Sequence, residues 1–155
     1  MLKSEFNSDI IATESWIENY GFDVKESLIL VEVSDSDPQV AIDNIAKEIA
    51  KHGDSIALVS LSLVSSHFSH YYDVKQLRGA CNKHNIKIFI DLAHALGSVP
   101  LHLNELDVDA AVFSTAKFLN SGPGSIGGLY INPRHKGVKS GLRGWFGTER
   151  AVLTL

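Results

Sequence analysis

The chain alternates between segments with helical spacing of apolar residues and short runs that are apolar almost throughout. Residues 37–51 carry apolar side chains at positions 40, 42, 45, 46 and 49, which is the periodicity of a helix with one buried face. Asp37 and Pro38 suit the start of this helix, and Gly53 suits its exit. Residues 55–64 follow as a mostly apolar run, which predicts a buried strand.

The same alternation continues on both sides of this pair. Upstream, the pattern predicts a helix at residues 13–20, which Gly21 stops, and a strand at residues 28–33. Downstream, it predicts a helix at 73–84 with Val74, Leu77 and Cys81 on its inner face, and strands at 86–90, 106–114 and 127–131. Parallel strands need crossover helices, so we predict an α/β fold, a mostly parallel sheet with helices on both faces.

Composition and charge narrow the class of protein. The chain has 155 residues, of which 45% are hydrophobic, and this suits one domain. Its net charge of −4 comes without any block of like charge, which argues against a nucleic-acid or membrane partner. Cys81 is the only cysteine, so an internal disulfide and a cysteine zinc cluster are excluded. No signal-peptide core opens the chain, and we expect a cytoplasmic protein.

Polar residues follow the predicted strands, where ligands bind in parallel α/β sheets. Asp91 comes directly after the apolar run IKIFI, so its carboxylate is placed at the sheet edge. There it either pairs with a cation, binds a metal or acts as a base, or it caps the following turn. His94, three residues further on, either faces the same cavity or is structural.

Lys117 lies between an apolar strand and a glycine-rich segment. A lysine held in a partly desolvated pocket has a lowered pKa and becomes a nucleophile that forms Schiff bases, whereas an ordinary surface lysine does not. The segment GPGSIG that follows fits the letters of a dinucleotide-binding loop, but it precedes a predicted strand instead of a helix. A tight turn is therefore the simpler interpretation.

His67 and His70 are the best-spaced metal-ligand pair but fall in a predicted loop, so we predict no metal site.

These features are far more specific together than apart: Asp91, His94, Lys117 26 residues after Asp91, then LNSGPG and GWFG. The combination resembles the kynureninases, hydrolases of the fold type I class that depend on pyridoxal 5'-phosphate (PLP). The segments DLAHALGSVPLHL, VDAAVFSTAKFLNSGPGSIGGLYI and LRGWFGTE carry the resemblance. It runs in register from about Phe6 to about Glu149, nearly the whole chain.

The resemblance implies a cofactor and a role for each matching residue. Lys117 is implied to be the catalytic lysine that forms the Schiff base with PLP. Asp91 matches the aspartate that pairs with the pyridine nitrogen, and His94 matches a histidine that contacts the cofactor. The other implied cofactor-binding residues are Phe6, stacked on the ring, Asn7, Ser8 and Asp9 in the same stretch, Ser62 beside the cofactor, and Trp145, which reaches the phosphate or the active site, commonly that of a partner subunit.

The resemblance also implies a reaction. It is the hydrolysis of the Cβ–Cγ bond of L-kynurenine or 3-hydroxykynurenine, which yields anthranilate or its hydroxylated form and L-alanine. This reaction belongs to tryptophan catabolism and NAD biosynthesis. The implied partners are the small amino-acid substrate and a second chain, either as a homodimer or as a chain that completes the site.

The sequence departs from the family pattern at three places near the expected site. Ala116 stands where the family has a tyrosine that contacts the cofactor phosphate. Phe68 and Ser69 replace a Thr-Gly turn, and Thr148 replaces a histidine. We expect residues 1–155 to be one partial large domain, without the upstream phosphate-binding segment and the C-terminal small domain. Such a piece should expose apolar surface and self-associate.

Two alternatives stay open. One is a non-catalytic homologue that keeps the α/β layer as an interaction module. The other is a different fold type I enzyme, such as a desulfurase, which needs a reactive cysteine on a mobile loop. Cys81 is predicted to lie within a helix, on its apolar face, which counts against the second alternative.

Overall fold

The structure, a computed structural model, describes residues 1–137, and its centre is a four-stranded sheet of order β1-β2-β3-β4. The strands are β1 Leu58–Ser62, β2 Lys87–Asp91, β3 Ala110–Ser114 and β4 Gly127–Ile131. The helices are α1 Asn7–Asn19, α2 Val24–Ser27, α3 Gln39–His52, α4 Lys75–Lys83 and α5 Leu103–Leu106. The first three strands are parallel, and β4 runs antiparallel to β3. The predicted fold class, a mostly parallel α/β sheet, is confirmed.

The core forms between the sheet and the two amphipathic helices that the sequence predicts. Ile88 and Ile90 of β2 are fully buried, and so are Leu77 and Cys81 of α4. On α3 the buried face is made of Ala41, Ile42, Ile45 and Ile49. Each such aliphatic side chain contributes about 1.5–3 kcal/mol when it is removed from water. Burial of these faces, and not helix propensity alone, fixes α3 and α4 in place.

The chain upstream of α3 differs from its prediction. The strand predicted at residues 28–33 is wrong: within residues 1–137 this segment makes only one isolated bridge, between Leu2 and Val31. A strand needs a partner along its length, and a single bridge does not supply one. The helix predicted at residues 13–20 begins earlier, with Phe6 as its N-cap, and ends where Gly21 adopts a φ of +79°.

The third predicted strand is shorter than expected. Its apolar run begins at Leu106, but the structure places that residue at the end of α5, and β3 starts only at Ala110. Between them Asp107 adopts a left-handed backbone with φ of +53°, which ends the helical turn.

Within residues 1–137, none of the helices is both long and apolar enough to cross a membrane.

A buried charge cluster closes the end of the sheet where β2 and β3 begin. The Asp109 carboxylate is 7% exposed and accepts hydrogen bonds from the Ile88 backbone N–H at 2.8 Å and from His135 Nε2 at 2.7 Å. It also pairs with Arg78 at 3.0 Å and with Arg134 at 3.3 Å. Burial alone raises the pKa of this carboxyl, but the hydrogen bonds and the Arg78 charge prevail and lower it to about 2.

Candidate functional site

The candidate site lies at the opposite edge of the sheet, where the parallel strands end. The register pairs Ser62 of β1 with Asp91 of β2, and Asp91 with Val112 of β3. The half-buried Asp91 accepts a hydrogen bond from the Ala93 backbone N–H at 2.7 Å through one carboxylate oxygen. Asp91 therefore caps the following turn, as one of its two interpretations predicts, and also presents a carboxylate at this edge.

Lys117 reaches the same edge from the segment that leaves β3. The Ser114 hydroxyl accepts from the Ala116 N–H at 3.2 Å, and the Asn120 N–H donates to the Lys117 carbonyl at 3.0 Å, so the segment is a tight turn. Lys117 is exposed instead of enclosed in a desolvated pocket, which corrects that hypothesis for the part of the chain described. Within residues 1–137, no carboxylate forms an ion pair with Lys117. Its amine is therefore available to a ligand.

The start of α1 lies beside the Lys117 amine. The Phe6 ring is half-exposed, and its centroid lies 5.7 Å from Lys117 Nζ, within the range of a cation–π contact. One turn further along, burial and the charge of Asp91 raise the pKa of Asp9, while the charge of Lys117 opposes the shift. Asp9 thus experiences both charged groups of the site.

His94 completes the group. Burial and the Lys117 charge lower its pKa, against the opposing effect of Asp91, so its ring is neutral at pH 7. The ring also lies edge-on to Phe118, with 6.1 Å between the centroids. The structure therefore brings together five of the residues that the sequence singles out: Phe6, Asp9, Asp91, His94 and Lys117.

The other predicted residues have different surroundings. Asn7 and Ser8 occupy exposed positions in the first turn of α1. Ser62 is buried, and its hydroxyl donates to the carboxylate of Glu5, a residue that the sequence analysis missed because one glutamate gives no pattern. Trp145 and Thr148 lie outside the described residues. Across residues 1–137, no three histidine, cysteine or acidic side chains are grouped to hold a metal ion.

Gly97 sets the distance between the two polar segments of the site. Its φ is +90°, and a Cβ atom added there would lie 2.9 Å from the carbonyl oxygen of Phe118, the residue after Lys117. We expect Gly97→Ala to lower the free energy of unfolding by about 1–3 kcal/mol through backbone strain and this contact. Gly79→Ala is the matched control, since nothing lies within 4 Å and the site is inside α4. In urea unfolding, Gly79→Ala should be as stable as the parent or more stable, by at most about 1 kcal/mol. Equal losses in both variants would contradict the expectation.

Comparison with known proteins connects this site to a family. The model of the family described as Aminotransferase class-V matches residues 2–143. Kynureninase 2 of Neurospora crassa is 32% identical over 158 residues, covering 94% of this chain and 34% of that protein. A kynureninase of Bacillus cereus is 38% identical over 145 residues, covering 94% of this chain and 33% of that protein. The chain thus spans about a third of the length of the curated relatives it matches.

Solved structures agree on the fold. A cysteine desulfurase of Escherichia coli superposes with a TM-score of 0.71 at 16% sequence identity, covering 86% of this chain and 31% of that one. At this identity the likeness concerns the fold alone.

Proposed function

Because the chain belongs to the aminotransferase class-V family, whose proteins depend on PLP, we propose that it carries the lysine-bearing part of a kynureninase-type site. The observation that supports this most is the contact of the Lys117 amine with the Phe6 ring, 5.7 Å away. The Asp91 carboxylate belongs to the same group, because its charge and that of Lys117 both act on Asp9 and on His94. The amine supplies a nucleophile, the ring an aromatic face and the carboxylate an anion.

These three groups fit the chemical parts of PLP. An unpaired primary amine suits its aldehyde, an aromatic ring suits a pyridine face, and a carboxylate suits a protonated pyridine nitrogen. The phosphate is served less well by the matching positions, since Ala116 lacks the hydroxyl of the family tyrosine. We infer that the phosphate is held by groups other than the side chain of residue 116.

Each residue then has a distinct task. Bound PLP supplies an electron sink for bonds at the substrate's α carbon. Asp91 holds a proton on the pyridine nitrogen by charge and hydrogen bonding. Lys117 binds the cofactor through its amine and then moves a proton at the substrate's Cα. Phe6 excludes water from one face, and His94, whose lowered pKa favours the neutral ring, can donate one hydrogen bond and accept another.

We propose L-kynurenine or 3-hydroxykynurenine as the substrate, on the strength of the relatives that are named kynureninases. Hydrolysis of the Cβ–Cγ bond would release anthranilate or its hydroxylated form together with L-alanine. The test is to incubate the chain with PLP and each substrate and to follow anthranilate by its fluorescence. Formation of anthranilate that needs PLP supports the proposal. A chain that retains PLP on Lys117 but forms no product would favour the non-catalytic alternative.

The desulfurase alternative lacks its nucleophile among the residues described. Cys81 is fully buried on α4, and burial raises the pKa of its thiol. A buried thiol with a raised pKa is a poor nucleophile. Since the chain has no other cysteine, nothing in it supplies the reactive thiol.

We further propose that the chain works with a second chain, as a homodimer or with a partner that completes the site. The support is the exposed apolar surface of α1, where Ile11 is 62% and Trp16 55% exposed. Large apolar side chains left exposed on a helix favour association. Analytical sedimentation of the 155-residue chain should therefore show concentration-dependent self-association. A monomer at all concentrations would contradict the homodimer.

A further inference from the structure

Glu5 is a buried carboxylate at the carboxyl end of β1. It is 3% exposed, and its two oxygens accept the Ser62 backbone N–H at 3.0 and 3.1 Å. The Ser62 hydroxyl donates to the same carboxylate at 2.5 Å. Burial raises the pKa of Glu5, and these hydrogen bonds oppose the shift. A glutamate is rarely enclosed without such partners, so the contact compensates for its loss of water.

This contact stands directly before a helix that has little else to fix it. No side chain of α1 is fully buried, so packing fixes the position of this helix only weakly. Upstream, the Lys3 N–H donates to the Val31 carbonyl at 2.9 Å. Glu5 is the next residue that is held by hydrogen bonds to another part of the chain. Phe6 and Asp9 follow it within one turn of helix. The orientation of these two residues toward Lys117 therefore depends on Glu5.

We propose that Glu5 is a positioning residue for the candidate cofactor site. Its hydrogen bonds to Ser62 attach the start of α1 to β1 at the residue that pairs with Asp91, and so hold Phe6 beside Lys117. The part of this inference that concerns PLP rests on the proposed function. The part that concerns the position of Phe6 does not, and the two are tested separately.

The first experiment needs no cofactor. In NMR spectra of the chain, the Phe6 ring should shift the ε-methylene signals of Lys117 through its ring current, and Phe6→Leu identifies that contribution. We expect Glu5→Ala to reduce the contribution by more than about half, because the anchor is lost. Glu5→Gln keeps a carbonyl acceptor for Ser62 and should retain most of it. Glu18→Ala, on an exposed position of α1, is the matched control and should leave it unchanged.

The second experiment measures PLP affinity of the same variants. Because Glu5→Ala loses a buried, charge-assisted contact, we expect its affinity for PLP to fall by about tenfold or more. The affinity of Glu5→Gln should stay within about threefold of the parent. Unfolding free energies measured alongside separate positioning from general stability. If Glu5→Ala does not fold, Ser62→Ala, which removes only the hydroxyl donor, should give a smaller loss in the same direction.

Two results would overturn the inference. One is an unchanged ring-current contribution in Glu5→Ala or, should that variant not fold, in Ser62→Ala. The other is a loss of PLP affinity that is equal in Glu5→Ala and Glu5→Gln. If the parent chain itself binds no PLP, the proposed function fails, and the ring-current experiment alone decides the role of Glu5.

Discussion

Replacing Lys117 with alanine should abolish the visible absorption band that the chain develops with PLP. Only a primary amine forms the Schiff base that absorbs there, and the Lys117 amine is the one that lies beside the Phe6 ring. The expected effect is complete loss of the saturable band in a spectrophotometric titration. Lys117→Arg should lose it equally, since a guanidinium keeps the charge but is not a nucleophile.

Lys83→Ala is the matched control for this prediction. Lys83 is an exposed lysine in the last turn of α4, away from the candidate site. It should leave the band and its half-saturation unchanged, because Lys83 precedes β2, whose opposite end carries Asp91. A band of full height in Lys117→Ala would show that another lysine carries the cofactor, and the assignment of the site would be wrong.

The second large effect concerns stability. Asp109→Asn should lower the free energy of unfolding by about 3–5 kcal/mol, because it removes the buried carboxylate that pairs with the mostly buried Arg78. Asp107→Asn is the matched control: this carboxylate contacts Arg78 at 3.3 Å and Arg134 at 2.6 Å but is 43% exposed. Its loss should cost about 1 kcal/mol or less. Denaturant unfolding of both variants measures the difference, and equal costs would contradict the role of burial.

The same carboxylate predicts how stability depends on pH. The folded pKa of Asp109 is about 2, below its ordinary value of 3.8, so its contribution is present above pH 4 and disappears as the pH falls toward 2. The difference corresponds to about 2 kcal/mol. The gap in unfolding free energy between the parent and Asp109→Asn should therefore narrow by about 1 kcal/mol from pH 6 to pH 3. A constant gap across this range would contradict the assignment.

The local pattern of apolar residues was sufficient to predict those helices and strands that are fixed by burial of one apolar face. The periodicity of residues 37–51 predicts α3, and the run IKIFI predicts β2 with Asp91 at its end. The antiparallel direction of β4 was not predictable, since its apolar pattern suits either direction. The strand predicted at residues 28–33 failed for a related reason, because its apolar residues have no neighbouring strand to pair with along their length.

The residues of the candidate site could likewise be predicted only in part from the sequence. Asp91 and Lys117 follow strands, so their place at the sheet edge could be predicted from the sequence. Glu5 could not, because its partner Ser62 is 57 positions away. Asp109 binds the Ile88 N–H across 21 positions, and a charged residue beside a strand gives no sign of burial until the sheet has formed. Buried charges are defined by tertiary partners, which local periodicity does not contain.

We propose that Lys117 is the residue to which PLP becomes attached. The most direct measurement is to load the chain with PLP, reduce it with borohydride, digest it and locate the pyridoxyl group by mass spectrometry. We predict close to one group per chain, on the peptide that contains Lys117. Label spread over the exposed lysines, or no label on a chain shown to be folded, would contradict the claim and leave the residues at this sheet edge without the proposed chemistry.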